Sequence, residues 1–79
     1  MNNIILYSLK TCPKCKVLKK KLDSLNIKYT DITDDVTVLK FLKENELPSE
    51  VPVLAIDGFE PMNFNSAWAW ASRQEEDNG

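Results

Sequence analysis

The chain has no histidine, only two cysteines and only two glycines among 79 residues. Without histidine or a third cysteine, a closed structural zinc site lacks its usual four ligands. Carboxylates or a second chain would have to complete one. Two glycines and four prolines argue against a low-complexity or disordered chain. No apolar run approaches the length of a membrane span. Met1-Asn2-Asn3 leads directly into an apolar strand, with no basic segment or signal-type cleavage pattern, so the expected compartment is the cytoplasm. Ten basic against twelve acidic residues give a formal charge of −2, which is no global footprint for nucleic acid.

A chain of this length is one domain, residues 1–79. Its hydrophobic fraction of 43% is adequate for a compact core. Cys12 and Cys15 are too close in sequence for a bridge between them to restrain much unfolded-chain entropy. The pair is a poor staple, and the core must hold the fold. In the cytoplasm a close cysteine pair is more often catalytic or metal-binding than structural.

Ile4-Ile5-Leu6-Tyr7 is a β-prone run suited to a strand buried on both faces. Thr11 is a reasonable helix N-cap, followed by Cys12 and by Pro13, a residue tolerated in a first turn. Val17, Leu18, Leu22 and Leu25 then fall on one helical face, with lysines on the other. Asn26 is a plausible helix end. Residues 28–32 alternate as a second strand, and Thr33-Asp34-Asp35 is a turn and capping cluster. Val38, Leu39 and Leu42 continue on one face of a second helix, which ends at Leu47-Pro48-Ser49.

Val53-Leu54-Ala55-Ile56 is another buried strand, and Asp57-Gly58 is a strong hairpin signal. A short return strand is expected over residues 59–62, held to an edge or made irregular by Pro61. Phe64, Ala67, Trp68 and Ala71 support a final helix starting at Asn63 or Asn65, with a polar tail expected to fray from Gln74. Trp68 reads as core. Trp70 lies about 200° round the helix from it, so one of the two should be exposed. The order is β-α-β-α-β-β-α, an α/β chain. Its first two strands should be parallel and its last two antiparallel.

Cys12-Pro13-Lys14-Cys15 sits at the predicted strand-to-helix junction, the context that makes a C-x-x-C pair a redox motif. A helix N-terminus offers free backbone N–H groups and the positive end of the helix dipole. Both favour a thiolate, the species that attacks disulfides. Cys15, one turn on, is placed to displace whatever Cys12 captures. Six of the ten basic residues lie between positions 10 and 21. Lys10 and Lys14 are the candidates for tuning the thiol. Lys19, Lys20 and Lys21 read as the solvated helix face. Tyr7 either contacts substrate or sits in the core.

The first strand, Cys12-Pro13-Lys14-Cys15, Val51-Pro52 and the Asp57-Gly58 hairpin stand in the order and at the spacings of a glutaredoxin. The chain resembles that family over nearly its whole length, least well in its last quarter. The resemblance implies a minimal thioredoxin fold, with a four-stranded mixed sheet and helices on both faces. It implies a cis bond before Pro52, and backbone N–H and C=O groups on Val51 that hold an extended thiol peptide such as glutathione. The implied activity is dithiol–disulfide exchange, with Cys12 as nucleophile and Cys15 as resolving thiol. Substrate or glutathione contacts are expected from Lys10, Thr11, Pro13, Lys14, Val51, Pro52, Asn65 and Ser66.

No bound cofactor is expected. Glutathione is the expected co-substrate, disulfide-bearing proteins are the expected partners, and the chain is expected to be a monomer. Two positions depart from the family pattern. Leu9 stands where a glutathione-binding lysine is usual. Met62-Asn63-Phe64-Asn65 replaces a Gly-Gly-acidic stretch. Both bring the chain closer to the redoxins that are recharged by thioredoxin reductase and serve ribonucleotide reductase. The alternatives of another class are a metal- or cluster-binding dimer and a non-catalytic adaptor that docks partners through the lysine-rich helix.

Overall fold

The structure, a computed structural model, describes the backbone of residues 3–78 and the side chains of residues 3–74. The elements run β1 (Ile4–Tyr7), α1 (Pro13–Ser24), β2 (Thr30–Ile32), α2 (Asp35–Glu44), β3 (Val53–Ile56) and α3 (Phe64–Asn78). The sheet order is β2-β1-β3. β1 pairs with β2 in parallel, with Leu6 opposite Asp31. It pairs with β3 antiparallel, with Leu6 opposite Leu54. The central strand therefore comes first in the chain, and its carboxyl end delivers the chain to the start of α1.

Strand alternation divides the core into two layers. Leu6, Leu54 and Ile56 face Leu18, Leu22, Ala67 and Ala71 of α1 and α3. Tyr7 and Val53 face Val38 and Leu42 of α2. Helices thus cover both faces of the sheet, as expected. Leu6, Leu18, Leu22 and Leu54 are completely buried, each contributing roughly 1.5–3 kcal/mol by removal from water.

Three expectations need correction. Among the described residues the sheet has three strands rather than four. Chain reversal does occur at Asp57-Gly58, where Gly58 adopts φ +84° and the Phe59 N–H donates to the Ile56 carbonyl at 2.9 Å. The returning segment then makes a single antiparallel bridge, Leu54 with Met62. Pro61 has no N–H to extend that ladder.

Second, Val17 and Leu39 are exposed. The buried stripe of α1 is Cys15, Leu18 and Leu22, so Leu18 and Leu22 lie as expected while Cys15 takes the buried place that Val17 does not. Third, Trp68 faces solvent while Trp70 packs on the core. Helix α3 runs through Asn78. Residue 79 lies outside the described residues.

The helix ends show why the chain turns where it does. Asp34 caps α2, accepting from the Thr37 N–H at 3.0 Å and the Thr37 hydroxyl at 2.7 Å. Those two bonds hold its carboxyl below the usual value. Asn26, with φ 58°, supplies the left-handed turn after α1, and the Ile27 N–H returns to the Leu22 carbonyl at 3.0 Å. Among the described residues no helix is long and apolar enough to cross a membrane.

Candidate active site

Cys12 is the N-cap of α1. Its backbone is extended (φ −97°, ψ 112°) and its sulfur accepts the Cys15 backbone N–H at 3.2 Å. A sulfur therefore does what a Ser or Thr hydroxyl does at an ordinary cap. Thr11, the expected cap, is one residue too early and lies exposed on the approach loop. Pro13 occupies the first helical position, where it loses no hydrogen bond.

The two sulfurs differ in environment. Cys12 is partly exposed, whereas Cys15 is completely buried. Burial pushes the Cys15 thiol up from 9.0 to about 12, helped by its hydrogen bond to the Cys12 side chain and by the Cys12 charge. The Leu9 backbone and the Lys19 ammonium pull the other way. Cys15 thus holds its proton at neutral pH beside a partner sulfur that can reach solvent.

The loop before β3 closes the other side of the site. The Val51–Pro52 peptide bond is cis. The Cys12 thiol donates to the Val51 carbonyl at 3.7 Å, and the Pro52 ring is fully buried beside the site. A groove of about 370 Å³ runs past this loop, lined by Lys14, Ser49, Glu50, Val51, Pro52, Asn63 and Phe64.

The geometry brings together Cys12, Cys15, Lys14, Val51 and Pro52, and leaves other expected residues aside. Lys10 lines a separate cleft with Thr33, Asp34, Asp35 and Val36. Asn65 and Ser66 open onto neighbouring hollows rather than this groove. Tyr7 is a core residue, stacked on Phe41 with ring centroids 3.8 Å apart and planes 9° from parallel.

The residue that caps α3 is Asn63, whose side chain accepts from the Ser66 N–H at 2.9 Å. The sequence pattern marks Asn63 as a helix start and as part of the stretch that replaces the Gly-Gly-acidic motif. It did not place Ser49, Glu50, Asn63 or Phe64 at the groove. The Gly-Gly-acidic position of the family pattern was the signal that pointed to Asn63 and Phe64.

A second cluster lies behind the thiols. The fully buried Ser8 hydroxyl donates to Asp31 at 2.9 Å, and the other oxygen of Asp31 meets the Lys19 ammonium at 2.8 Å. Lys19 is one helical turn beyond Cys15 on α1. Among the described residues, no three His, Cys, Asp or Glu side chains converge as a metal site.

The family model for glutaredoxin matches residues 4–59, a span containing both cysteines, Val51-Pro52 and all three strands. The chain belongs to the glutaredoxin family. An uncharacterised glutaredoxin-like 8.6 kDa protein encoded in a rubredoxin operon of Clostridium pasteurianum is 39% identical over 66 residues, covering 81% of this chain and 88% of the relative. The crystal structure of glutaredoxin 1 from Francisella tularensis, complexed with cacodylate, superposes with a TM-score of 0.73 at 26% identity. That match covers 96% of this chain and 99% of the other. Against the glutaredoxin pattern, Leu9 stands out. It packs on the Tyr7–Val38–Leu42–Val53 layer, so no cation occupies that position.

Proposed function

We propose that this glutaredoxin-family chain is a dithiol–disulfide oxidoreductase that reduces protein or glutathione mixed disulfides. The observation that carries the reading is the pairing of a partly exposed Cys12 sulfur at the α1 N-terminus with a buried, protonated Cys15 whose N–H it accepts. The Cys12 sulfur, as thiolate, attacks one sulfur of a substrate disulfide. The S–S bond breaks and the first product leaves as a thiolate that takes up a proton. Cys15 then gives up its proton and attacks the Cys12 sulfur. The second thiol is expelled, and an oxidised Cys12–Cys15 pair remains. Counted from the Cys12–Cys15 dithiol, two electrons pass to the substrate and two protons end on the product thiols.

The dithiol must be restored by an external reductant. Glutathione is one candidate, its extended backbone pairing with the backbone groups of Val51. A second reading is favoured by the side chain of Leu9, which packs in the core where the family pattern has a glutathione-binding lysine. In that reading a thioredoxin-reductase-type flavoenzyme recharges the pair, and ribonucleotide reductase is a candidate recipient.

Disulfide reduction by the wild type, Cys12→Ser and Cys15→Ser tests the scheme. Cys12→Ser should be inactive. Cys15→Ser should keep glutathione mixed-disulfide chemistry and lose dithiol reduction. Full turnover by Cys12→Ser would rule the scheme out. Parallel assays with glutathione plus its reductase, and with thioredoxin reductase, separate the two electron sources.

A further inference from the structure

Next to the thiol groove is an apolar surface that exchange chemistry alone does not use. Val17 of α1 and Phe64 and Trp68 of α3, with Asn65, line a shallow hollow of about 340 Å³. Val17 is 45% exposed and Trp68 37% exposed. Phe64 belongs to both this hollow and the groove at Val51–Pro52, so the two form one continuous surface. Large exposed apolar side chains grouped in this way mark contact sites.

The hollow is bracketed by cations. The Lys14 ammonium lies 5.9 Å from the Phe64 ring centroid, and the Lys21 ammonium 5.1 Å from that of Trp68. Helix α1 carries five lysines and one aspartate, and neither α1 nor α3 has an acidic residue in its first turn. The complementary ligand is therefore an apolar group with negative charge on its flanks.

Spacing sets where such a group sits. Val17 follows Cys12 by five residues, about 7.5 Å of helix rise. An extended chain covers that distance in roughly two to three residues. We propose that the Val17–Phe64–Trp68 hollow seats an apolar side chain, flanked by carboxylates, two or three residues from the disulfide cysteine of a substrate protein. The proposal rests on the disulfide-reductase reading and specifies the class of its protein substrate.

Three disulfide peptides test it, identical except near the cysteine: Glu-Leu-Glu, Lys-Leu-Lys or Glu-Ser-Glu at that spacing. Hydroxyethyl disulfide, too small to reach the hollow, reports the thiol chemistry alone. The reduced wild type should consume the Glu-Leu-Glu peptide faster than the other two. Trp68→Ala and Val17→Ser should each slow that peptide about fivefold or more, Trp68→Phe should restore most of the rate, and none should alter hydroxyethyl disulfide reduction.

Tryptophan fluorescence titrated with the same peptides, carrying serine for cysteine, reads docking without turnover. Equal rates and equal binding for all three peptides, alongside normal hydroxyethyl disulfide reduction, would overturn the docking proposal alone. Selective binding of Glu-Leu-Glu by a protein that reduces no disulfide would uphold the surface and overturn the redox reading. Because Val17 is exposed and outside the core, Val17→Ser remains informative if Trp68→Ala does not fold.

Discussion

The Cys15 backbone N–H points at the Cys12 sulfur from 3.2 Å, while the Cys15 side chain is sealed from solvent. One turn of helix thus separates a sulfur available for attack from one held in reserve as a thiol. At pH 8 a thiol raised from 9.0 to about 12 has a thiolate fraction on the order of a thousandfold below that of an ordinary cysteine. Iodoacetamide should therefore label Cys12 essentially alone, as read by peptide mass spectrometry. In Cys12→Ser, burial still raises Cys15 but the partner sulfur's hydrogen bond and charge are gone. Cys15 should then titrate between 9.0 and about 12. Equal labelling of both cysteines in the wild type would contradict this division of roles.

The same burial makes stability depend on alkaline pH. Cys15 rises from 9.0 and Tyr29 from 10.0, each to about 12. Burial is the main cause for Tyr29 too, followed by the charge of Asp23, to which its hydroxyl donates at 3.2 Å. Both groups are neutral when protonated, and folding favours that form. Their contribution is complete below the unfolded values and is lost as pH climbs toward 12. The melting temperature of the reduced protein should fall from about pH 9 upward. Oxidation removes the Cys15 thiol, so the oxidised protein should fall less steeply. Tyr29→Phe should remove the part that begins near pH 10. Parallel curves for the reduced and oxidised proteins would sink this assignment.

What could be read in advance follows from how local each signal is. Ile4–Tyr7, the cysteine pair and Asp57-Gly58 announce themselves within a few residues, and each lies where it was expected. The cis bond before Pro52 came from the family resemblance, because cis is the minority state before proline. Val17 and Leu18 both fit an apolar stripe on α1. Only the packing of α1 against both the sheet and α3 decides that Leu18 is buried and Val17 exposed. Trp68 and Trp70 pose the same problem, settled the same way. The groove was the least legible part, since the loop before β3, the start of α3 and Lys14 are brought together only by the complete fold.

Behind the thiols, the Ser8–Asp31–Lys19 chain joins β1, β2 and α1. The Lys19 charge lowers Cys15, opposing its burial. Lys19→Met should leave the first attack by Cys12 unchanged and slow resolution by Cys15, moving the alkaline limb of the dithiol reaction to higher pH. Lys19→Arg should restore it. Single-turnover kinetics separate the two steps, and equal slowing of both would show that the residue acts only on folding. Ser8→Ala should cost about 1 kcal/mol through loss of a buried hydrogen bond.

Glu46 follows α2 with φ 54°, a left-handed conformation unfavourable for a residue with a side chain. The position is held by the helix end: the Leu47 N–H donates to the Leu42 carbonyl at 2.8 Å, closing the last turn. Leu42 and Leu47 pack in the α2 layer of the core, so the chain cannot relax there without losing burial. Glycine adopts the same conformation freely, although it loses more entropy on folding. Glu46→Gly should therefore stabilise the protein by roughly 0.5–1 kcal/mol, the relief of backbone strain less that entropy. Chemical denaturation should show a higher midpoint at an unchanged slope, with disulfide reduction unaffected because residue 46 lines neither the groove nor the Val17–Phe64–Trp68 hollow. A lower midpoint would mean that the Glu46 side chain makes a contact worth more than the strain it causes.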